Sequence, residues 1–237
     1  LRLEDLVAER TAALQSANAQ LAERAEEILT QIDHQWSFWS ALLPLRADLK
    51  PRTLEALQSV IWLCVSVEMR FKQVLGVRRP QEFSPQVQPV ITTPGHGSFP
   101  MGHATQAYAV SATLKRLLHL EANDLLSIQL ERQAHRIAIN RIIAGVHFPV
   151  DLVAGALLGK SLAAYAHACA RSGPSSMPVW VFTEATYRKQ VAAWTSAERL
   201  EASCRFYQAG SQLDVPSIRP MPVWSQIWQQ AEQEWGR

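Results

Sequence analysis

The segment Arg141-Ile-Ile-Ala-Gly-Val-His147-Phe-Pro-Val-Asp151 sets a cation, an imidazole and a carboxylate in a stretch that is otherwise apolar. Ile142, Ile143, Ala144, Val146, Phe148 and Val150 have the character of core residues. Charged groups held among them are expensive unless they serve one another or a ligand, and any fold of this chain has to meet that demand. His147 and Asp151 are four apart, so on a helix they share a face and the carboxylate can accept a hydrogen bond from the ring. That contact fixes the tautomer and leaves the other ring nitrogen as a directed nucleophile or base. Read alone, the segment also fits a buried His–Asp pair that only satisfies itself.

Composition narrows the classes. With 48% hydrophobic and 19% charged residues in 237, the chain reads as a globular protein able to bury a sizeable core. A formal charge of +2 with no basic tract excludes nucleic acid as the expected partner. The longest apolar run, Val60 to Val67, is far below the roughly 20 residues of a membrane span. The expectation is therefore no membrane and a cytoplasmic location, with no secretory signal pattern at the start. Cys64, Cys169 and Cys204 are odd in number and widely spaced, which argues against a disulfide framework and fits a reducing compartment.

Helical periodicity dominates the rest. Val7, Leu14, Leu21 and Ile28 recur at sevens over residues 1–31, while positions such as Arg10 and Arg24 interrupt a coiled-coil seam. A long amphipathic helix is expected there, with an apolar stripe available for homo-oligomer contacts. A second helix is expected from Thr53 to Gly76, a third from about Gly102, a fourth over 123–144 and a fifth from about Val150 to Arg171. Between them, residues 77–100 are rich in Pro, Gly, Ser and Thr, and loops of that length are usually functional. Gly155 and Gly159 permit close approach of a neighbouring helix. Residues 183–209 read as a further helix, and Trp224, Trp228, Ala231 and Trp235 as a docking face. The architecture is read as all-α, with an N-terminal amphipathic helix and linker over 1–50, a catalytic helical core over 51–173 and a Pro/Trp-rich helical extension over 174–237 packed on that core.

Three places concentrate groups that an anion would want. Lys72 and Arg79 lie near a helix end, and Pro100-Met101-Gly102-His103 sits where free backbone N–H groups open a helix. Arg141, His147 and Asp151 form the third. Together, the two arginines and the lysine would hold a tetrahedral oxyanion, His147 would attack or ligate its central atom, and His103 would act as acid or base.

The pattern Lys72-x6-Arg79-Pro80, Pro100-x-Gly102-His103, Arg141-x5-His147-x3-Asp151 resembles the three-part signature of a known superfamily. It unites type 2 phosphatidic acid phosphatases, bacterial nonspecific acid phosphatases and vanadium-dependent haloperoxidases. The resemblance implies a helical bundle of the haloperoxidase/acid phosphatase type. It assigns oxyanion binding to Lys72, Arg79, the 101–102 turn (Met101, Gly102) and Arg141, and acid–base work to His103. In the phosphatases the residue matching His147 is the phosphorylated nucleophile, and in the haloperoxidases it is the vanadium ligand. Two positions depart from the signature: Met101 stands where serine is usual, and Asn140 replaces the serine that usually precedes Arg141. A lost hydroxyl donor to a charged oxyanion is worth roughly 1.5–3 kcal/mol, or about ten- to a hundredfold in affinity.

His96, seven before His103, is similar in placement to a histidine beside vanadate in bromoperoxidases and is expected at the halide pocket. On that basis, and because the run Gly102-His103-Ala104-Thr105-Gln106-Ala107 also resembles theirs, the leading expectation is a vanadium-dependent haloperoxidase that uses vanadate and hydrogen peroxide to oxidise bromide or iodide. Phosphate would occupy the same site. The alternatives are a soluble phosphomonoesterase with a phosphohistidine at His147, and an oxyanion-binding protein whose catalysis is impaired by Met101.

Overall fold

The computed structural model describes residues 22–32, 35–171, 175–181, 208–215 and 218–236, with backbone only for 175–181 and 208–215. In chain order the elements are α1 (22–30), α2 (Trp36–Ser40), α3 (Pro51–Leu75), α4 (Gly102–Leu117), α5 (Leu125–Ile143), α6 (Pro149–Ala170), β1 (Ser175–Val181), β2 (Gln208–Val215) and α7 (Pro222–Gln233). The bundle is all-α as expected, and β1 and β2 form an antiparallel ribbon between α6 and α7. Residues 1–21 of the helix expected over 1–31 and residues 183–207 of that expected over 183–209, together with Cys204, lie outside the described residues, whereas the ribbon corrects the expectation of a wholly helical C-terminal extension and takes up residues 208–209. Cys64 and Cys169 are buried free thiols.

Local chemistry sets the helix ends. Pro51 opens α3, where a missing N–H costs nothing, and Gly76 closes it in the left-handed region at φ 55°. The first amides of α3 are satisfied from far along the chain. The Glu234 carboxylate accepts from the Arg52 and Thr53 amides at 2.8 and 2.9 Å. Pro149 likewise opens α6, with Asp151 in its first turn.

Helix α4 is the hub. Eleven of its sixteen residues are buried, and it packs against α3, α5, α6 and α7. Its closest neighbour is α6. A Cβ on Gly155 would lie 2.5 Å from the Met101 carbonyl oxygen, and one on Gly159 would overlap the Thr105 carbonyl. The two glycines thus set the α4–α6 separation, as their spacing predicts. Glu131 on α5 clamps the trio, accepting from Lys115 of α4 at 2.6 Å and Lys160 of α6 at 2.5 Å.

Helix α7 seals α3 and α6 with the expected tryptophan stripe. Trp228 and Ala231 are buried, the Trp224 indole donates to the Ala166 carbonyl at 2.6 Å, and that of Trp235 to Thr53 Oγ1 at 2.9 Å.

Helix α6 has 22 residues and is long and apolar enough to cross a membrane, although just over half of it is buried within the bundle. An uninterrupted-run test misses it because Asp151, Lys160, Ser161 and His167 punctuate its Ala, Leu, Val and Gly. The expectations of no membrane and of a cytoplasmic location, which rested on that test, are withdrawn.

The α4–α6 contact carries a test. Gly159→Ala should destabilise the protein by about 1–3 kcal/mol, because its methyl must displace the α4 backbone. Chemical denaturation measures this, and an unchanged midpoint would refute the close approach.

Candidate active site

Lys72 sits in the last turn of α3 and is 2% exposed, and its ammonium is solvated by the protein itself: it donates to the carbonyls of Gly97 and Ser98, each at 3.1 Å. Arg79 is similarly enclosed. Its Nε donates to the His96 carbonyl at 3.1 Å and one terminal nitrogen to the Val146 carbonyl at 2.8 Å. The long 77–100 loop therefore works as a cradle of carbonyl oxygens around two cations. Burial lowers Lys72 to about 8, with the charge of Glu68 pulling the other way.

The start of α6 supplies the nucleophile candidate. Asp151 Oδ2 accepts from the Phe148 amide at 2.9 Å and lies 3.1 Å from His147 Nδ1. This is the predicted i,i+4 pair, and it leaves His147 Nε2 directed at Arg79, 3.3 Å from its guanidinium. Burial is the largest influence on His147 and lowers its pKa to about 4, although Asp151 raises it. The imidazole is therefore neutral at neutral pH, with Nε2 holding its lone pair. The Met101 amide donates to the Asp151 carbonyl at 2.9 Å, fastening the start of α4 to that of α6.

Arg141, at the end of α5, completes the cluster. One terminal nitrogen is engaged, whereas Nε and the other terminal nitrogen are buried with no partner among the described residues, as is Asp151 Oδ1. Unpaired buried donors of a charged group are costly, so these two point to an anion that accepts from them. His103, in the first turn of α4, is lowered to about 3 by removal from water and by the charges of Arg141 and His147. An oxyanion bound between the arginines would raise it towards an acid's working range.

The structure thus gathers Lys72, Arg79, Gly102, His103, Arg141, His147 and Asp151 in one place. Met101 differs from the expectation that it contacts the oxyanion. Its side chain is fully buried in the main hydrophobic cluster and its amide is already spent on Asp151. His96 borders Arg79, 3.3 Å from its guanidinium, and its own carbonyl orients the same cation.

Sequence reasoning missed three contributors. Glu68, one turn before Lys72, is 4% exposed, accepts from Gln106 at 3.0 Å and leaves Oε2 with no partner among the described residues. Its Oε1 lies only 2.6 Å from where a Cβ on Gly102 would be, so it abuts the α4 turn. Ile28 and Gln31 of the N-terminal segment also reach in, bonding to Arg141. The i,i+4 spacing of Glu68 and Lys72, and the shared face of Arg24, Ile28 and Gln31, were the available signals.

A family model described as the PAP2 superfamily matches residues 54–172, which takes in every motif above. The chain belongs to the PAP2 superfamily. It is 29% identical over 120 residues to a decaprenylphosphoryl-5-phosphoribose phosphatase of Mycolicibacterium smegmatis, covering 51% of this chain and 62% of that protein. It is 32% identical over 88 residues to the protein of the same description in Mycobacterium tuberculosis, covering 37% and 46%. The match thus spans less than two thirds of these relatives' length. A transmembrane PAP2 type phosphatidylglycerolphosphate phosphatase from Bacillus subtilis superposes with a TM-score of 0.40 at 22% identity, over 63% of this chain and 82% of that one.

These relatives are phosphatases, which corrects the expectation of a haloperoxidase and of peroxide and halide as substrates. The physical reason is that phosphate and vanadate are both tetrahedral oxyanions, so the signature alone does not choose between them. His96, one of the two features on which that choice leaned, borders Arg79 and accepts from it through its carbonyl.

Glu68 gives the site a pH signature. Burial raises its pKa from 4.5 to about 7, while Gln106 and Lys72 act to lower it. The fold favours the neutral acid, so this stability is complete below about 4.5 and is lost as pH rises through about 7. Glu68→Gln should remove the effect, gaining on the order of 2–3 kcal/mol relative to the native protein between pH 5 and pH 8. Denaturant titrations at the two pH values check this, and parallel pH dependence in both proteins would refute it.

Proposed function

We propose that this chain is a phosphatase that hydrolyses a phosphate monoester through a phosphohistidine at His147. The observation that carries the reading is the neutral His147, held through Nδ1 by Asp151, with Nε2 facing Arg79 and with the unpaired donors of Arg141 in the same cluster.

In the first step Nε2 attacks phosphorus and the P–O bond to the leaving alcohol breaks. The developing alkoxide takes its proton from His103. Asp151 stabilises the positive charge that grows on the imidazole. Lys72, Arg79, Arg141 and the amides at the start of α4 take up charge on the equatorial oxygens. In the second step His103 accepts a proton from water, the oxygen attacks phosphorus and the P–N bond breaks. Inorganic phosphate leaves and the starting imidazole returns. Vanadate, a tetrahedral mimic of phosphate, would enter as a competitive inhibitor.

The relatives' description makes a lipid-linked sugar phosphate the first substrate class to test. A generic aryl phosphate is the simplest probe of the chemistry. His147→Ala should cut its hydrolysis by at least about a thousandfold, and Asp151→Asn should lower kcat by about 10²–10⁴. The native activity should fall as pH drops through about 4, where His147 takes up a proton. Rapid quench should trap a phosphoryl group that is acid-labile and base-stable, and its absence from a turning-over enzyme would overturn the histidine nucleophile.

A further inference from the structure

We propose that the N-terminal segment 22–31 is an intramolecular inhibitor: oxygen atoms of Ile28 and Gln31 occupy the Arg141 terminal nitrogen that both of its bidentate forks share, so the two open donors cannot pair with it on a phosphate, and a Gln31 oxygen also meets His103. The proposal rests on the phosphate-binding reading of the site. Arg141 donates from one terminal nitrogen to the Ile28 carbonyl at 2.7 Å and to Gln31 Oε1 at 3.1 Å. Asn140 Nδ2 donates to the same Oε1 at 2.9 Å. His103 Nε2 lies 3.3 Å from the Gln31 carbonyl. Three neutral acceptors thus converge on two of the groups assigned to anion binding and acid catalysis, and Gln31 is fully buried among them.

The attachment is suited to release. Over residues 22–32 only Ile28 and Gln31 are buried, while Leu29 and Ile32 are 53% and 44% exposed. Ile28 meets a small apolar cluster with Ala144 and Val146. The segment's polar ties include Arg24, which donates to Asn140 Oδ1 at 2.6 Å, and Glu27, which accepts from Gln31 Nε2 at 3.0 Å and from both ends of the Arg136 fork at 2.8 and 2.7 Å. The Arg136 end of the Glu27 pair is half exposed, so solvent screens it. A phosphate, accepting charge-assisted bonds, competes well with neutral carbonyls for Arg141.

The departure at Asn140 gains a purpose from this arrangement. Its amide donates to Gln31 and accepts from Arg24, so one side chain anchors the segment at two points. The serine usual at this place has a single hydroxyl on a shorter stem and cannot span both. Because apparent affinity falls by the fraction of molecules with the pocket open, the segment sets the threshold for phosphate.

The test uses the full chain and inorganic phosphate, with calorimetric binding and aryl phosphate hydrolysis measured in parallel. Arg136→Ala releases the Glu27 clamp from the half-exposed surface end and itself removes a positive charge, and Gln31→Ala removes one competing acceptor. Each should lower the phosphate Kd, and the KM of the aryl ester, by about tenfold. Saturating phosphate should also abolish hydrogen-exchange protection over 22–31 in the native protein. Unchanged or weakened phosphate binding in both variants would overturn the proposal, as would protection that persists at saturation or no phosphate binding by any form. Tightened binding without hydrolysis by any form would uphold the segment's role and sink the phosphatase reading instead.

Discussion

Three buried cations, Lys72, Arg79 and Arg141, set the terms for the rest of this structure. Each is no more than 2% exposed. Removing such groups from water is tolerable only where the interior solvates them again. The chain does this largely with backbone carbonyls rather than carboxylates. Loop 77–100 turns its oxygens towards Lys72 and Arg79, and segment 22–31 offers one to Arg141. Carbonyls stabilise the charges without neutralising them, so the site keeps a positive field for an anion.

Asp151 is the second organising group. Through its side chain it holds the His147 ring and caps its own helix, and through its backbone it receives the Met101 amide. The nucleophile, the start of α4 and the start of α6 are thereby fixed in one frame. The α4–α6 approach permitted by Gly155 and Gly159 lets that frame form, since Gly155 lies against the Met101 carbonyl. Packing and chemistry are joined at the same few residues.

The two departures from the family's signature take different meanings. Met101 is a core residue whose backbone serves the frame, so its loss of a hydroxyl is offset by apolar burial. Asn140 faces the N-terminal segment and binds it. Neither residue type reveals this by itself, because the same position can point into a core, a pocket or a partner depending on the helix beside it.

Much of the site is legible in the order and spacing of the residues. The i,i+4 rule puts His147 and Asp151 together, helical periodicity places α3 to α6, and motif spacing gathers Lys72, Arg79, His103 and Arg141. Those features are local, or are repeated in a family whose fold constrains them. The contacts of Glu68 with Gly102 and of Gln31 with Arg141 join residues 34 or more positions apart, and no local pattern encodes them. The choice between oxyanions is not legible either, because phosphate and vanadate ask the same geometry of the protein. By itself the sequence determined the helices, their buried faces and the groups available to an oxyanion. Tertiary structure alone decided which donors those groups keep free, because a hydrogen bond depends on which distant segment arrives beside it.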